Sequence, residues 1–151
     1  MTESEFDGEA EPMRLLYYSV VPTSCSRDDL KSILASSRKY NAINSVTGVL
    51  CLDNRFFFQV LEGSRRSINH ILGRVMHDPR TTDVNIVLAE PLAEPAFRAW
   101  AMAFVGADSL SRRVCERYCG DSVFRPDRMS SRSARAFALD ILASLVSGKK
   151  A

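Results

Sequence analysis

The chain has no uninterrupted apolar run near the 20 or so residues a transmembrane helix needs, so no span is expected. It has no disulfide framework: Cys25, Cys51, Cys115 and Cys119 stand in scattered contexts. No Cys-x-x-Cys pair occurs, and neither His70 nor His77 has a spaced partner, so no metal site is expected. There is little net charge. The formal value of +2 lacks the strong basic footprint of a nucleic-acid binder. Internal repeats and low-complexity segments are absent too. The opening MTESEFDGEAEP is acidic and polar, the opposite of a secretory signal. With unpatterned cysteines, that points to a reducing cytoplasm.

What is present suits one soluble domain. The 151 residues are 46% hydrophobic and 25% charged, enough for a real core. Residues 1–12 are expected to be a disordered extension. RLLYYSVV (14–21) reads as a first strand. Ser26 offers a helix N-cap with Asp28 and Asp29 in the first turn, and Leu30, Ile33, Leu34 and Ser37 follow at helical spacing. That helix is expected to end near Tyr40. SVTGVLCLD (45–53) and RFFFQVLE (55–62) form a plausible hairpin around Asp53-Asn54. Ser64 caps a second helix with the stripe Ile68, Ile71, Leu72 and Val75, ended by Pro79. VNIVLAEPL (84–92) and FRAWAMAFV (97–105) are two further strands. The order predicts an α+β fold: a ferredoxin-like βαββαβ sheet with an added fifth strand. Such a sheet has helices on one face and leaves the other bare. Helices over 110–119 and 133–146 supply the cover, so 13–106 is expected to be the main domain and 107–151 a C-terminal helical cap.

Polar residues inside apolar strands are the candidates for chemistry. Gln59 shares a strand face with Phe57 and Leu61, and a buried Gln must be hydrogen-bonded. Its partner is either backbone or a Tyr on a neighbouring strand. The first and third strands are neighbours in this order, which brings Tyr17 or Tyr18 within reach, on opposite faces. Tyr17 shares its face with Leu15 and Ser19. Trp100 and Met102 alternate on one face of the last strand, where core packing is the simplest role. Asn41 follows the first helix, a common place for Asn. Arg74, Asp78 and Arg80 stand at the end of the second helix, where Arg either grips phosphate or favours the helix dipole.

Five stretches carry a resemblance: LLYYS (15–19), SSRKYN (36–41), SVTGVL (45–50), FFFQVLEG (56–63) and FRAWAM (97–102). In this order and spacing they resemble the BLUF family, blue-light sensors that use FAD. The resemblance runs from about Arg14 to Val105. It implies that Tyr17, in Tyr-x-Ser, is the photoactive tyrosine and Tyr18 a packing residue. It implies that Gln59 bridges the Tyr17 hydroxyl and the flavin edge, with Trp100 or Met102 near Gln59 according to the signalling state. Ile33 and Ser37 resemble residues that sandwich and touch the ring, and Asn41 one that bonds its pyrimidine part. Arg74, Asp78 and Arg80 resemble contacts to the ring, ribityl chain or phosphate. The chain departs from the family at Tyr40, where a second Asn is frequent, at Ser45, usually Gly, and at Thr81, often His.

The resemblance implies a photoreceptor rather than an enzyme, with non-covalent FAD, or FMN or riboflavin in its place. Light would rearrange the Tyr–Gln–flavin hydrogen bonds. Output would pass to a separate effector protein, because no catalytic domain follows. A homo-oligomer is expected, and neither nucleic acid nor membrane. Two other functions share the topology. An acylphosphatase-like enzyme needs a glycine-rich anion loop with Arg after the first strand, and VVPTSC lacks both. An RNA-binding module needs a basic and aromatic central-strand pattern, and FFFQVLEG has only the aromatics.

Overall fold

The computed structural model describes residues 10–53, 55–96, 102–106 and 110–146. The elements are β1 (Pro12–Val20), α1 (Arg27–Ile43), β2 (Thr47–Asp53), β3 (Phe56–Ser64), α2 (Arg65–Met76), β4 (Thr82–Pro91), β5 (Ala103–Val105), α3 (Arg112–Cys119) and α4 (Ser131–Val146). A short 3-10 turn, Pro126–Arg128, precedes α4. The five strands are ordered β4-β1-β3-β2-β5. This is the expected α+β sheet with a fifth strand, which joins β2 in parallel.

The strand faces divide the core. Odd-numbered β1 and β3 residues (Leu15, Tyr17, Phe57, Leu61) pack with Ile33 of α1 and Ile68 and Ile71 of α2. Even-numbered ones (Leu16, Phe58, Val60) pack with Cys115, Tyr118, Phe137 and Ile141 of the last two helices. Phe58 is the hub of that second layer, 5.4 Å from the Phe137 ring and 6.3 Å from Phe124. Tyr18 lies on this side, edge-on to Phe56. Each fully buried Leu, Ile or Phe contributes about 1.5–3 kcal/mol of burial, so both layers hold the sheet between them. β3 runs through the middle, paired with β1 and β2 along its length. β2 approaches it so closely at Gly48 that a Cβ there would sit 2.0 Å from the Val60 carbonyl oxygen.

Several boundaries differ from the sequence reading. β1 starts at Pro12, opposite Ser64, inside the stretch expected to fray. Residues 1–9 lie outside the described residues. α1 begins as expected at the Ser26 cap, as a full capping box with Asp29. It does not end near Tyr40 but continues to Ile43. Asn44 closes it, its Nδ2 donating to the Tyr40 carbonyl at 2.8 Å. Ser45 then turns the chain with φ 55°, the left-handed conformation glycine ordinarily takes after a helix. That turn delays β2 to Thr47. α2 ends at Met76, before Asp78 and Arg80, which sit in the following turn. Of the strand expected over 97–105, residues 97–101, including Trp100, lie outside the described residues. Among the described residues no helix is long and apolar enough to cross a membrane.

Candidate functional site

A cleft of about 640 Å³, counted out to its open mouth, lies between α1, α2 and the sheet. Its floor is the pairing of β1 and β3, where Tyr17 stands directly across from Gln59. The Tyr17 hydroxyl donates to Gln59 Oε1. Both side chains are buried, Tyr17 at 1% exposure and Gln59 at 6%. Facing positions on adjacent strands hold their side chains about 5 Å apart, which is why a Tyr and a Gln meet here without help from a loop. β1 also slips by one residue against β4 between Leu16 and Tyr17. Such bulges are frequent beside functional side chains. Burial pushes the Tyr17 phenol far above its ordinary range, so it holds its proton.

The walls come from the helices. Ile33, Ser37, Tyr40 and Asn41 are spaced i, i+4, i+7, i+8, one face of α1, and all line the cleft. Asn41 is 1% exposed, in the last turn of α1 rather than in the loop beyond it. Its carbonyl accepts from Val46 N at 2.8 Å, which ties the helix end to the start of β2. Ile71, Arg74 and Val75 form the α2 wall. The Arg74 guanidinium lies over the Tyr40 ring, 3.3 Å from its centroid, a cation–π stack joining the two helices at the mouth.

Asp78 and Arg80 close the far end. Arg80 grips both Asp78 oxygens, Nε to Oδ1 at 2.9 Å and NH2 to Oδ2 at 2.7 Å, and donates from NH1 to Ser32 of α1 at 2.8 Å. Hydrogen bonding from Arg80 holds the Asp78 carboxyl below its usual value. Met102 enters from the other side, just before β5, and is 4% exposed. Arg38 of α1 holds it, Nε donating to the Met102 carbonyl at 3.1 Å.

The structure therefore gathers Tyr17, Ile33, Ser37, Asn41, Gln59, Arg74, Asp78, Arg80 and Met102 around one cleft. Trp100 lies outside the described residues. Sequence reading missed Tyr40 as a wall residue and Arg38 as the anchor of Met102. Extending the 3.6-residue period of α1 by one turn would have found Tyr40. Nothing local marks Arg38, because its partner is 64 residues away. Asn44 is a helix cap, outside the cleft. Among the described residues no group of three metal-ligating side chains occurs.

Residues 13–103 match the BLUF family, described as sensors of blue-light using FAD. The chain belongs to this family. Among its relatives, a photoactivated adenylate cyclase subunit beta-like protein FB of Euglena gracilis is 34% identical over 105 residues, 69% of this chain. The chain spans only 12% of that protein's length. Its fold resembles that of BlsA in its photo-activated state, with a TM-score of 0.79, 24% identity, and 87% of this chain and 94% of that one covered. A bacterial light-regulated adenylyl cyclase is similar at 26% identity and a TM-score of 0.63, over 70% of this chain and 31% of that one.

BLUF domains bind FAD, and the cleft fits a flavin on its own chemistry. Ile33, Phe57, Ile71, Val75 and Met102 offer apolar contact to a flat ring. Gln59, Asn41, Ser37 and Arg74 offer hydrogen-bonding groups for its polar edges. The cleft holds no cysteine, so no thiol is placed there for a covalent attachment.

Proposed function

We propose that this chain senses blue light through the Tyr17–Gln59 pair and passes the result to a separate protein. The observation that carries this is the hydrogen bond from the Tyr17 hydroxyl to Gln59 Oε1 on the cleft floor. A bound flavin would supply light absorption and one-electron chemistry. Tyr17 would give up an electron. As a buried phenol it starts protonated, so loss of the electron makes the hydroxyl strongly acidic and the proton leaves with or after it. Gln59 Oε1 is the acceptor already in place for that proton. The Gln59 amide would then pass a proton from nitrogen to the cofactor, where it would be held with the electron from Tyr17; as both are returned and Tyr17 is restored, Gln59 is left rotated or in its other tautomer. Either outcome exchanges donor for acceptor on the side facing the cleft.

Ile33, Ser37, Asn41, Arg74, Asp78 and Arg80 are proposed to hold the flavin. Arg74 stacks on Tyr40 and feels Asp78 only through its charge, whereas Arg80 is hydrogen-bonded to both Asp78 oxygens. Arg74 is then the group more open to a ligand. Which flavin binds follows from how many polar groups reach beyond the ring, with FAD the family's cofactor and FMN or riboflavin the other candidates. Met102, and Trp100 with it, would read the Gln59 state and pass it to the 107–151 cap. The chain is proposed to have no catalysis of its own, to act in the cytoplasm, and to engage an effector and further copies of itself rather than nucleic acid or membrane. The even-numbered face of the sheet is covered by α3 and α4, so a second copy would use another surface. The family match gives no support to an acylphosphatase-like activity or to RNA binding.

The test is a purified protein incubated with FAD. A yellow protein whose flavin band moves reversibly to the red under blue light supports the reading, and a protein that stays colourless overturns it.

A further inference from the structure

Three residues beyond Gln59 on β3, a carboxylate is buried on the opposite face of the sheet. Glu62 is 2% exposed. Its two oxygens do different work. Oε2 takes Arg14 of β1, with Nε at 2.9 Å and NH2 at 2.8 Å. Oε1 accepts the backbone N–H of Ala96 at 2.6 Å, at the start of the segment that leads to Met102. Arg14 continues the chain of charge, NH1 reaching Glu90 of β4 at 3.2 Å. Glu90 in turn receives Arg135 of α4, with Nε on Oε1 at 3.1 Å and NH2 on Oε2 at 2.5 Å. One connected series thus runs from the central strand to two places: the segment before Met102, and α4.

The geometry points to Glu62 as a positioning residue that moves these two output elements together; the inference rests on the photoreceptor reading above. A charge as buried as this is costly unless every partner is in place, so its ties are held or lost as a set. Neutral packing would join sheet and cap equally well, and such ion networks are retained where they fix one arrangement over another. Ala96 is held by Glu62, and Met102 by Arg38. Leu92 and Pro95, from the segment that ends at Ala96, border an open hollow beside Glu62 together with Pro12 and Thr47. A small change in β3 at Gln59 would then free or hold Ala96 and shift Arg14, Glu90 and Arg135 with it.

Glu62→Gln is the informative change. Glutamine keeps the shape but has one acceptor oxygen where glutamate has two, so it cannot serve both Ala96 and Arg14. The full chain with FAD is measured by hydrogen exchange in dark and under blue light, over 92–96 and 131–146, alongside its absorption. In the wild type both segments are expected to respond to light and recover together. In Glu62→Gln the red shift is expected to persist while both segments lose their light response together, by about tenfold or more, as for a broken buried ion pair; loss in one segment alone would show that Glu62 does not couple them. Arg135→Gln, at a half-exposed site that will not unfold the core, is expected to weaken the response of 131–146 alone by roughly two- to fivefold, the worth of a modest ion pair. If both segments respond in Glu62→Gln as in the wild type, or neither responds in the wild type, the inference fails. If Glu62→Gln does not fold, an unchanged α4 response in Arg135→Gln overturns it. Absence of any red shift in the wild type would instead refute the photoreceptor reading itself.

Discussion

Tyr17→Phe isolates one hydrogen bond, and its cost follows from the burial of the partner. The change removes a single oxygen and leaves Gln59 Oε1 without its donor at a site only 6% exposed. An acceptor stranded in that way costs about 1–3 kcal/mol. For a chain of this size a kilocalorie moves the melting temperature about 2–4 °C, so Tm falls by roughly 2–12 °C. Gln59→Leu strands the Tyr17 hydroxyl in the same way. The double variant removes both polar groups and leaves nothing stranded, so it is expected to cost less than the sum by about 1 kcal/mol or more. The assay is a double-mutant cycle of urea unfolding for all four proteins, with the FAD affinity of each measured so that its ligand term is subtracted. Costs that add to within about 0.5 kcal/mol would refute the claim that these two side chains depend on each other.

Tyr18→Phe changes a residue on the cap side of the sheet, so its light-induced red shift is expected to match the wild type while Tyr17→Phe loses its own; the reverse result would mean the strand faces are assigned wrongly. Ser45→Gly relieves a left-handed backbone at φ 55°. The relief of about 1–2 kcal/mol less the greater freedom of glycine when unfolded leaves a gain of about 0.5–1 kcal/mol, read as a raised urea midpoint; a lowered one would sink the argument. The Asp78 carboxyl is held below its ordinary value by Arg80, so its stabilisation is complete above about pH 4 and is lost as pH falls through the lower folded value. Asp78→Asn is therefore expected to flatten the stability profile below about pH 4 and leave its shape near pH 7 unchanged. An equally steep acid loss in the variant would show that other carboxylates carry it.

The strand pattern was legible because alternation is local. The parity of Phe57, Gln59 and Leu61 against Phe58 and Val60 placed every one of them on the face it occupies. The order of strands followed from connection rules, and with it the meeting of Tyr17 and Gln59. The ends of elements were less legible, for a specific reason at each. α1 outran its expected stop because Asn44 and a left-handed Ser45 provide the cap, and a Ser in place of the usual Gly gave no signal. The sequence pattern therefore places Asn41 beyond the helix end, although it lines the cleft from the last turn. The Arg80–Asp78–Ser32 lock and the Arg74–Tyr40 stack depend on how two helices approach, which no window of sequence encodes. The Glu62 series was hidden for the same reason: Arg14, Glu62, Glu90 and Arg135 are spread over 121 residues of chain and meet only when the sheet is built and capped.

Gln59 is where the account is most exposed. The decisive measurement is the light-minus-dark absorption spectrum of Gln59→Leu beside the wild type, both purified with FAD bound. Leucine fills similar volume and can neither donate nor accept, so the variant should keep its flavin and stay yellow. The account predicts a reversible red shift in the wild type and none in Gln59→Leu. A variant that shifts and recovers like the wild type would contradict it, and would move the switch to another residue of the cleft.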